Sequence, residues 1–131
     1  MIKFNDNYNT GIAVIDAQHK ELFSIVNKFE IALRENNLSL LRSTFEELLK
    51  YSRYHFITEE VFLSDLEKAI FERHVSLHRN MQSEVIGFKD RIEKTDNPIP
   101  LFNDLFDLTK NWIIDHILNE DAVIKQISHK F

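Results

Sequence analysis

The chain has 131 residues, 44% of them hydrophobic, with 11 Phe but only 2 Gly and 2 Pro. This composition is typical of one domain with a substantial core and long helices, and it disfavours a turn-rich β fold. The formal net charge of -5 argues against nucleic acid as a partner, and the absence of Cys excludes disulfides, thiolate nucleophiles and Cys-ligated metal sites.

The start of the chain lacks sustained helical periodicity, so residues 1–15 are expected to form a non-helical arm. No basic segment followed by an apolar stretch opens the sequence, and no apolar run is long enough to cross a bilayer. We therefore expect a soluble, cytoplasmic protein without a membrane partner.

Four segments then carry apolar residues at three- and four-residue steps. The first helix is expected over 17–36, with Asp16 as its N-cap, and the second over 39–65. The third is expected over 69–94, and the fourth over 100–120, with Pro100 in its first turn. Because short connections make successive helices antiparallel, the sequence predicts an all-α, up-down-up-down four-helix bundle that forms a single domain over 1–131.

Five of the six His are in phase with the apolar residues of these helices. A single His on an apolar face is usually a hydrogen-bonded core residue, but carboxylates are almost never buried without a partner. Residues four apart on a helix lie on one side of it and can reach a common centre. A bound metal would explain the whole set of buried polar residues, and its candidate ligands are His19, His55, Glu59, His74, His78, His116 and Asp121.

Asp121 follows His116 by five residues, which is about 140° around an ideal helix. A shared target therefore predicts a local widening of the helix near Leu118 and Asn119. Glu60 and Glu120 flank the candidate carboxylates and are expected to face solvent. His129 lies in the short C-terminal tail and is expected at the surface.

Written together, these motifs resemble the hemerythrin family, in particular its bacterial members. The residues that carry the resemblance are Ile15-Asp16-Ala17-Gln18-His19, His55-Phe56-x-x-Glu59-Glu60, His74-x-x-x-His78 and Trp112-x-x-x-His116-Ile117-x-x-x-Asp121. It spans almost the whole chain, with one departure at Phe4, where many relatives have Trp.

The resemblance implies a cofactor of two iron ions bridged by Glu59, Asp121 and an oxide or hydroxide. His74, His78 and His116 would bind one iron, and His19 and His55 would bind the other. These ligands leave one coordination position open on the iron with two His. Molecular oxygen is the partner expected there, and reversible oxygen binding for storage, transport or delivery, rather than enzymatic activity, is the function expected.

Helical proximity to the ligands, together with the resemblance, indicates an apolar wall for the oxygen pocket. Its candidate residues are Leu22, Phe23, Phe56, Trp112, Ile113 and Ile114. The same side chains can serve as ordinary core packing. We hypothesise that replacing Ile113 or Ile114 by Asn speeds autoxidation.

Other functions compete with oxygen carriage. The same centre would also suit oxygen or redox sensing, or a di-iron redox enzyme that handles peroxide or nitric oxide. A ferritin-like enzyme would require Glu-x-x-His pairs, which the chain lacks, and a zinc hydrolase would require Glu where the chain has Val75. A metal-free helical interaction module would leave the buried acids unexplained.

Overall fold

The computed structural model describes residues 1–128, so His129 and the prediction made for it lie outside the described residues. The described part is helical and contains no strand. Its elements are a 3-10 turn at Asp6–Tyr8, α1 at Ala13–Arg34, α2 at Leu38–Ser64, α3 at Lys68–Glu93, α4 at Ile99–Asp115, a π-helical segment at His116–Glu120 and α5 at Ala122–Ser128.

The four long helices pack in a ring, each against the next and α4 against α1. Their connections cover only 35–37, 65–67 and 94–98, so consecutive helices are antiparallel. The prediction of an all-α four-helix bundle is confirmed. None of the described helices has the length and apolar character needed to span a bilayer.

The turn between α1 and α2 is set by two adjacent asparagines. Asn36 has a φ of 50°, a left-handed conformation that Asn tolerates better than most residues and that ends α1. The backbone N–H of Asn37 then donates to the carbonyl of Ala32 at 3.0 Å. The Asn37 side chain accepts from the N–H of Leu40 at 3.1 Å and so caps α2.

The start of the first helix differs from the prediction. α1 begins at Ala13 rather than Ala17, and the prediction that Asp16 is its N-cap is wrong. The Asp16 carboxylate instead accepts from the N–H and hydroxyl of Thr10, both at 2.8 Å, and from the N–H of Gly11 at 3.3 Å. Gly11 has a φ of 87°, which lets the arm fold back onto α1. The arm therefore ends before α1, and Asp16 holds it in place.

The core of the described residues contains three apolar clusters, and a polar layer lies between two of them. One of these two includes Ile15, Leu63 and Ile124, and the other includes Phe23 and extends towards the opposite end of the bundle. His19 lies on α1 between Ile15 and Phe23, one turn from each. The polar layer is therefore enclosed by apolar side chains on both sides.

The end of α4 widens into the π-helical segment His116–Glu120. The N–H of Asp121 donates to the carbonyl of His116 at 2.9 Å, which is the five-residue step of a π-helix. The predicted widening near Leu118 and Asn119 is confirmed. Its consequence is that His116 and Asp121 both point into the bundle.

Candidate metal centre

Seven buried polar side chains meet in the layer between the apolar clusters. α1 supplies His19, α2 supplies His55 and Glu59, α3 supplies His74 and His78, and the π-helical turn supplies His116 and Asp121. None of them is more than 4% exposed. The structure therefore brings together every residue that the sequence singled out as a candidate ligand.

One half of this cluster contains two imidazoles and two carboxylates. His19 Nε2 lies 3.3 Å from Glu59 Oε1 and 3.1 Å from Asp121 Oδ2, and His55 Nε2 contacts Glu59 Oε1. One ligand atom from each of these four residues falls within 4.8 Å of all the others.

The other half contains three imidazoles and the same two carboxylates. Asp121 Oδ1 is 2.9 Å from His74 Nε2 and 3.1 Å from His116 Nε2. The Nε2 atoms of His78 and His116 are 3.2 Å apart. Because Glu59 and Asp121 belong to both halves, the arrangement offers two adjacent positions for cations that share two carboxylates.

The polar atoms at the centre are incompletely paired by the protein itself. Glu59 Oε2 is buried without a hydrogen-bond partner among the described residues. Its surroundings include the Nε2 atoms of His74, His78 and His116, at 4.0, 3.9 and 4.0 Å. Two ligand atoms that share an ion at about 2.1 Å stand about 3–4 Å apart, so this spacing and donor set fit a metal ion.

The two carboxylates also control protonation at the centre. Burial lowers the pKa of His19, but hydrogen bonds and charge from Asp121 and Glu59 outweigh burial and raise that pKa to about 9. Burial lowers the pKa of His78 to about 3. Burial raises the pKa of Asp121, but the imidazoles of His116, His19 and His74 outweigh it and hold the pKa well below its usual range. The paired carboxylates thus attract positive charge, which protonated His19 or a metal ion can supply.

Three of the imidazoles are oriented by acceptors on their outer nitrogens. Nδ1 of His55 is 2.7 Å from the side-chain oxygen of Gln18, and Nδ1 of His74 is 3.2 Å from the carbonyl of Ile70. Nδ1 of His78 is 3.1 Å from the carboxylate of Glu60. Since these oxygens accept, each Nδ1 carries the proton and each Nε2 presents a lone pair to the centre.

The prediction that Glu60 and Glu120 face solvent holds only in part, because each carboxylate is partly exposed and also has a partner in the protein. Glu60 is partly buried and accepts a hydrogen bond from His78. Glu120 is partly buried and accepts two hydrogen bonds from Arg73. Burial raises the pKa of Glu60, whereas the hydrogen bond from Arg73 lowers the pKa of Glu120.

Sequence reasoning did not assign a role to Gln18 or Thr58. Gln18 is 4% exposed and donates to the Thr58 hydroxyl at 3.2 Å while it accepts from His55. The signal available in the sequence was a polar Gln beside His19 on the buried face of α1.

Aromatic rings cover the three-imidazole half. Phe56 stacks on His78 with ring centroids 4.0 Å apart, and Trp112 stacks on His116 at 4.3 Å. A cavity of about 40 Å³ lies against these rings and is mostly apolar. Four of the predicted wall residues line it, namely Leu22, Phe56, Trp112 and Ile113.

The two remaining wall candidates lie elsewhere. Phe23 packs edge-on against Phe4 and Tyr8 of the arm, at centroid distances of 5.8 and 4.9 Å. Ile114 is half-buried and is not among the side chains that line the cavity. Phe4 therefore packs against Phe23 and Tyr8.

The chain is similar in sequence to known proteins. Residues 10–127 match the family described as Hemerythrin HHE cation binding domain. The chain is 29% identical over 119 residues to a protein named Bacteriohemerythrin from Pseudomonas aeruginosa, a match that covers 91% of this chain and 76% of that protein. It is 27% identical over 125 residues to a Bacteriohemerythrin of Clostridium acetobutylicum, covering 92% of this chain and 96% of that protein.

Proposed function

The chain belongs to the hemerythrin family, and on that premise we propose that it binds molecular oxygen reversibly at a pair of iron ions. The ions would be bridged by Glu59, Asp121 and an oxide or hydroxide. The protein would act in oxygen storage, transport or delivery rather than as an enzyme.

The observation that carries this proposal is the unequal division of imidazoles around two shared carboxylates. His74, His78 and His116 converge on one side of Glu59 and Asp121, and among the imidazoles of residues 1–128 only those of His19 and His55 converge on the other. The residues on the second side would supply one imidazole fewer to an ion held there. That side is the position proposed for oxygen.

Iron bound by these residues would supply reversible two-electron redox chemistry. The protein residues fix the ions and restrict what else reaches them. The outer acceptors at Gln18, Ile70 and Glu60 hold the imidazole rings with Nε2 inward.

The apolar wall favours a small neutral gas over ions and protons. Leu22, Phe56 and Ile113 are all buried and line the cavity together with Trp112. A site needs roughly 10–15 Å³ for a single water molecule, so a cavity of about 40 Å³ has room for a diatomic gas beside the centre; none of the seven candidate ligands lines it. Charged species would lose their hydration there at a large cost.

The proposal is tested by iron content and gas uptake measured on the same preparation. We expect two irons per chain and one oxygen taken up per pair of irons, with the oxygen recovered on evacuation. His74→Ala should lower the iron content, whereas His129→Ala, outside the predicted ligand set, should not. A protein without iron, or one that consumes oxygen and returns none, would contradict the proposal; the second result would favour a redox enzyme.

A further inference from the structure

The two halves of the centre differ in the charge of the groups that accept hydrogen bonds from their imidazoles. We propose that electron donation to the two proposed irons is unequal because of Glu60 and Gln18. Glu60 accepts a hydrogen bond from His78, and Gln18, which Thr58 orients, accepts one from His55. Glu60 and Gln18 then act as positioning residues that tune the redox potential of the pair. This inference rests on the proposed function.

Glu60 supplies a charged acceptor to the three-imidazole half. It lies next to Glu59 on α2, but its carboxylate reaches across to α3, where Oε2 is 3.1 Å from His78 Nδ1. A carboxylate acceptor makes a metal-bound imidazole more basic and a better electron donor. Phe56 stacks on the same ring within 7° of parallel, so the ring plane is fixed from two directions.

Gln18 supplies a neutral acceptor to the two-imidazole half. Its Oε1 is 2.7 Å from His55 Nδ1, which is a short hydrogen bond between neutral groups. Among the ring nitrogens of this half, His19 Nδ1 is buried without a hydrogen-bond partner in the described part of the chain. No ionised side chain is hydrogen-bonded to the outer nitrogen of either imidazole in this half, within residues 1–128.

Thr58 selects the orientation of the Gln18 amide. The Thr58 hydroxyl has one proton, which it donates to the carbonyl of Tyr54 at 3.1 Å. It can therefore only accept from Gln18, and it does so from Nε2 at 3.2 Å. With Nε2 turned to Thr58, the amide oxygen must face His55. Flipping the amide would set two donors against each other at His55 and two acceptors against each other at Thr58.

The consequence is a built-in asymmetry between the two positions. The three-imidazole iron receives donation strengthened by Glu60 and should be the more easily oxidised of the pair. The other iron would be bound by two imidazoles that have no charged outer partner within residues 1–128, and it would remain the stronger Lewis acid. It is also the iron with the open coordination position.

The test is the midpoint potential of the loaded protein measured by spectroelectrochemistry. Glu60→Gln should raise the potential of the first oxidation and Gln18→Glu should lower it. Outer partners of metal-bound imidazoles change metal affinity by about 10–100-fold, and a tenfold change in preference for the oxidised ion corresponds to about 59 mV for one electron. Glu47→Gln removes a carboxylate whose side chain is 41% exposed on the same helix, and it should leave the potential unchanged.

Three further variants test the contribution of hydrogen bonding apart from that of charge. Glu60→Asp keeps the charge but shortens the side chain, so its potential should move towards that of Glu60→Gln. Thr58→Val removes the hydroxyl and should weaken Zn²⁺ binding by the apoprotein, while Thr58→Ser should restore it. Helical circular dichroism of each variant confirms folding.

Potentials equal to wild type in Glu60→Gln, Glu60→Asp and Gln18→Glu, in protein that holds two irons, would overturn this inference alone. A Thr58→Val apoprotein with unaltered Zn²⁺ affinity would remove the role assigned to Thr58. A wild-type protein that holds no iron would overturn the proposed function as well.

Discussion

Arg73 and Glu120 form a two-pronged ion pair beside the buried centre, with Nε 2.7 Å from Oε2 and Nη2 2.6 Å from Oε1. Each is the chain neighbour of a candidate ligand, since His74 follows Arg73 and Asp121 follows Glu120, and those two ligands lie 2.9 Å apart. The pair thus joins α3 to the π-helical segment at the point where both enter the centre.

We expect Arg73→Ala to speed the loss of metal to an external chelator, because α3 and the π-helical segment are then held together by fewer contacts. Arg73 is 62% exposed, so high salt should also speed metal loss from the wild type and have less effect on the variant. The measurement is the rate of metal release at several ionic strengths. Lys28→Ala, which breaks a remote exposed pair with Glu47, is the control. Equal rates in all three proteins would contradict the role assigned to the pair.

We expect Ile113→Asn to speed autoxidation of the oxygen-loaded protein. Ile113 is 6% exposed and lines the cavity, so an amide there would attract water to the centre. An increase of roughly tenfold would correspond to about 1.4 kcal/mol of lowered barrier. The structure now distinguishes the two candidates, since Ile114 lies outside the cavity, and Ile114→Asn should have the smaller effect. Indistinguishable autoxidation rates for wild type and Ile113→Asn would contradict the role of the apolar wall in excluding water.

We expect Asp16→Ala to lower the free energy of unfolding by about 1–3 kcal/mol, because the variant loses hydrogen bonds that the Asp16 carboxylate accepts from a buried residue. Thr10 is 1% exposed and donates both its N–H and its hydroxyl to Asp16. Urea unfolding of the wild type and variant measures the change. Asp90→Ala alters an exposed acid on α3 and serves as the control. If both variants lose the same stability, Asp16 does not hold the arm.

We expect metal removal to lower the melting temperature. Without an ion, Glu59 Oε2 remains buried and unpaired, and the carboxylates must attract protons instead. A ligand present at 100 times its dissociation constant stabilises the folded state by about 2.7 kcal/mol. Thermal unfolding of apoprotein and iron-loaded protein gives the shift, and His116→Ala should reduce it. Identical melting temperatures would mean that the folded state gains nothing from the metal.

Much of the fold and of the candidate centre was predictable because both depend on periodicity within single helices. His74 and His78 share a face by their spacing, and the five-residue step from His116 to Asp121 predicted the local widening that the structure shows as a π-helical segment. These are local geometric relations, and tertiary packing did not alter them.

The misjudged residues are those whose partners lie on another element. Glu60 follows Glu59 and belongs to a more exposed face of α2, yet it reaches His78 on α3. Asp16 was mistaken for an N-cap because its partners could not be identified from the sequence. They are Thr10 and Gly11, in the arm that precedes the helix. Which acceptor meets which donor across two helices depends on helix rotation and spacing, and one sequence does not specify these.

The most direct test of the central claim is the visible spectrum of iron-loaded, anaerobically reduced protein as oxygen is admitted and then removed over several cycles. The account predicts an absorption band that appears with oxygen, disappears on evacuation and returns with the same intensity in the next cycle. A single irreversible oxidation, or no oxygen-dependent band in protein that holds two irons, would contradict it.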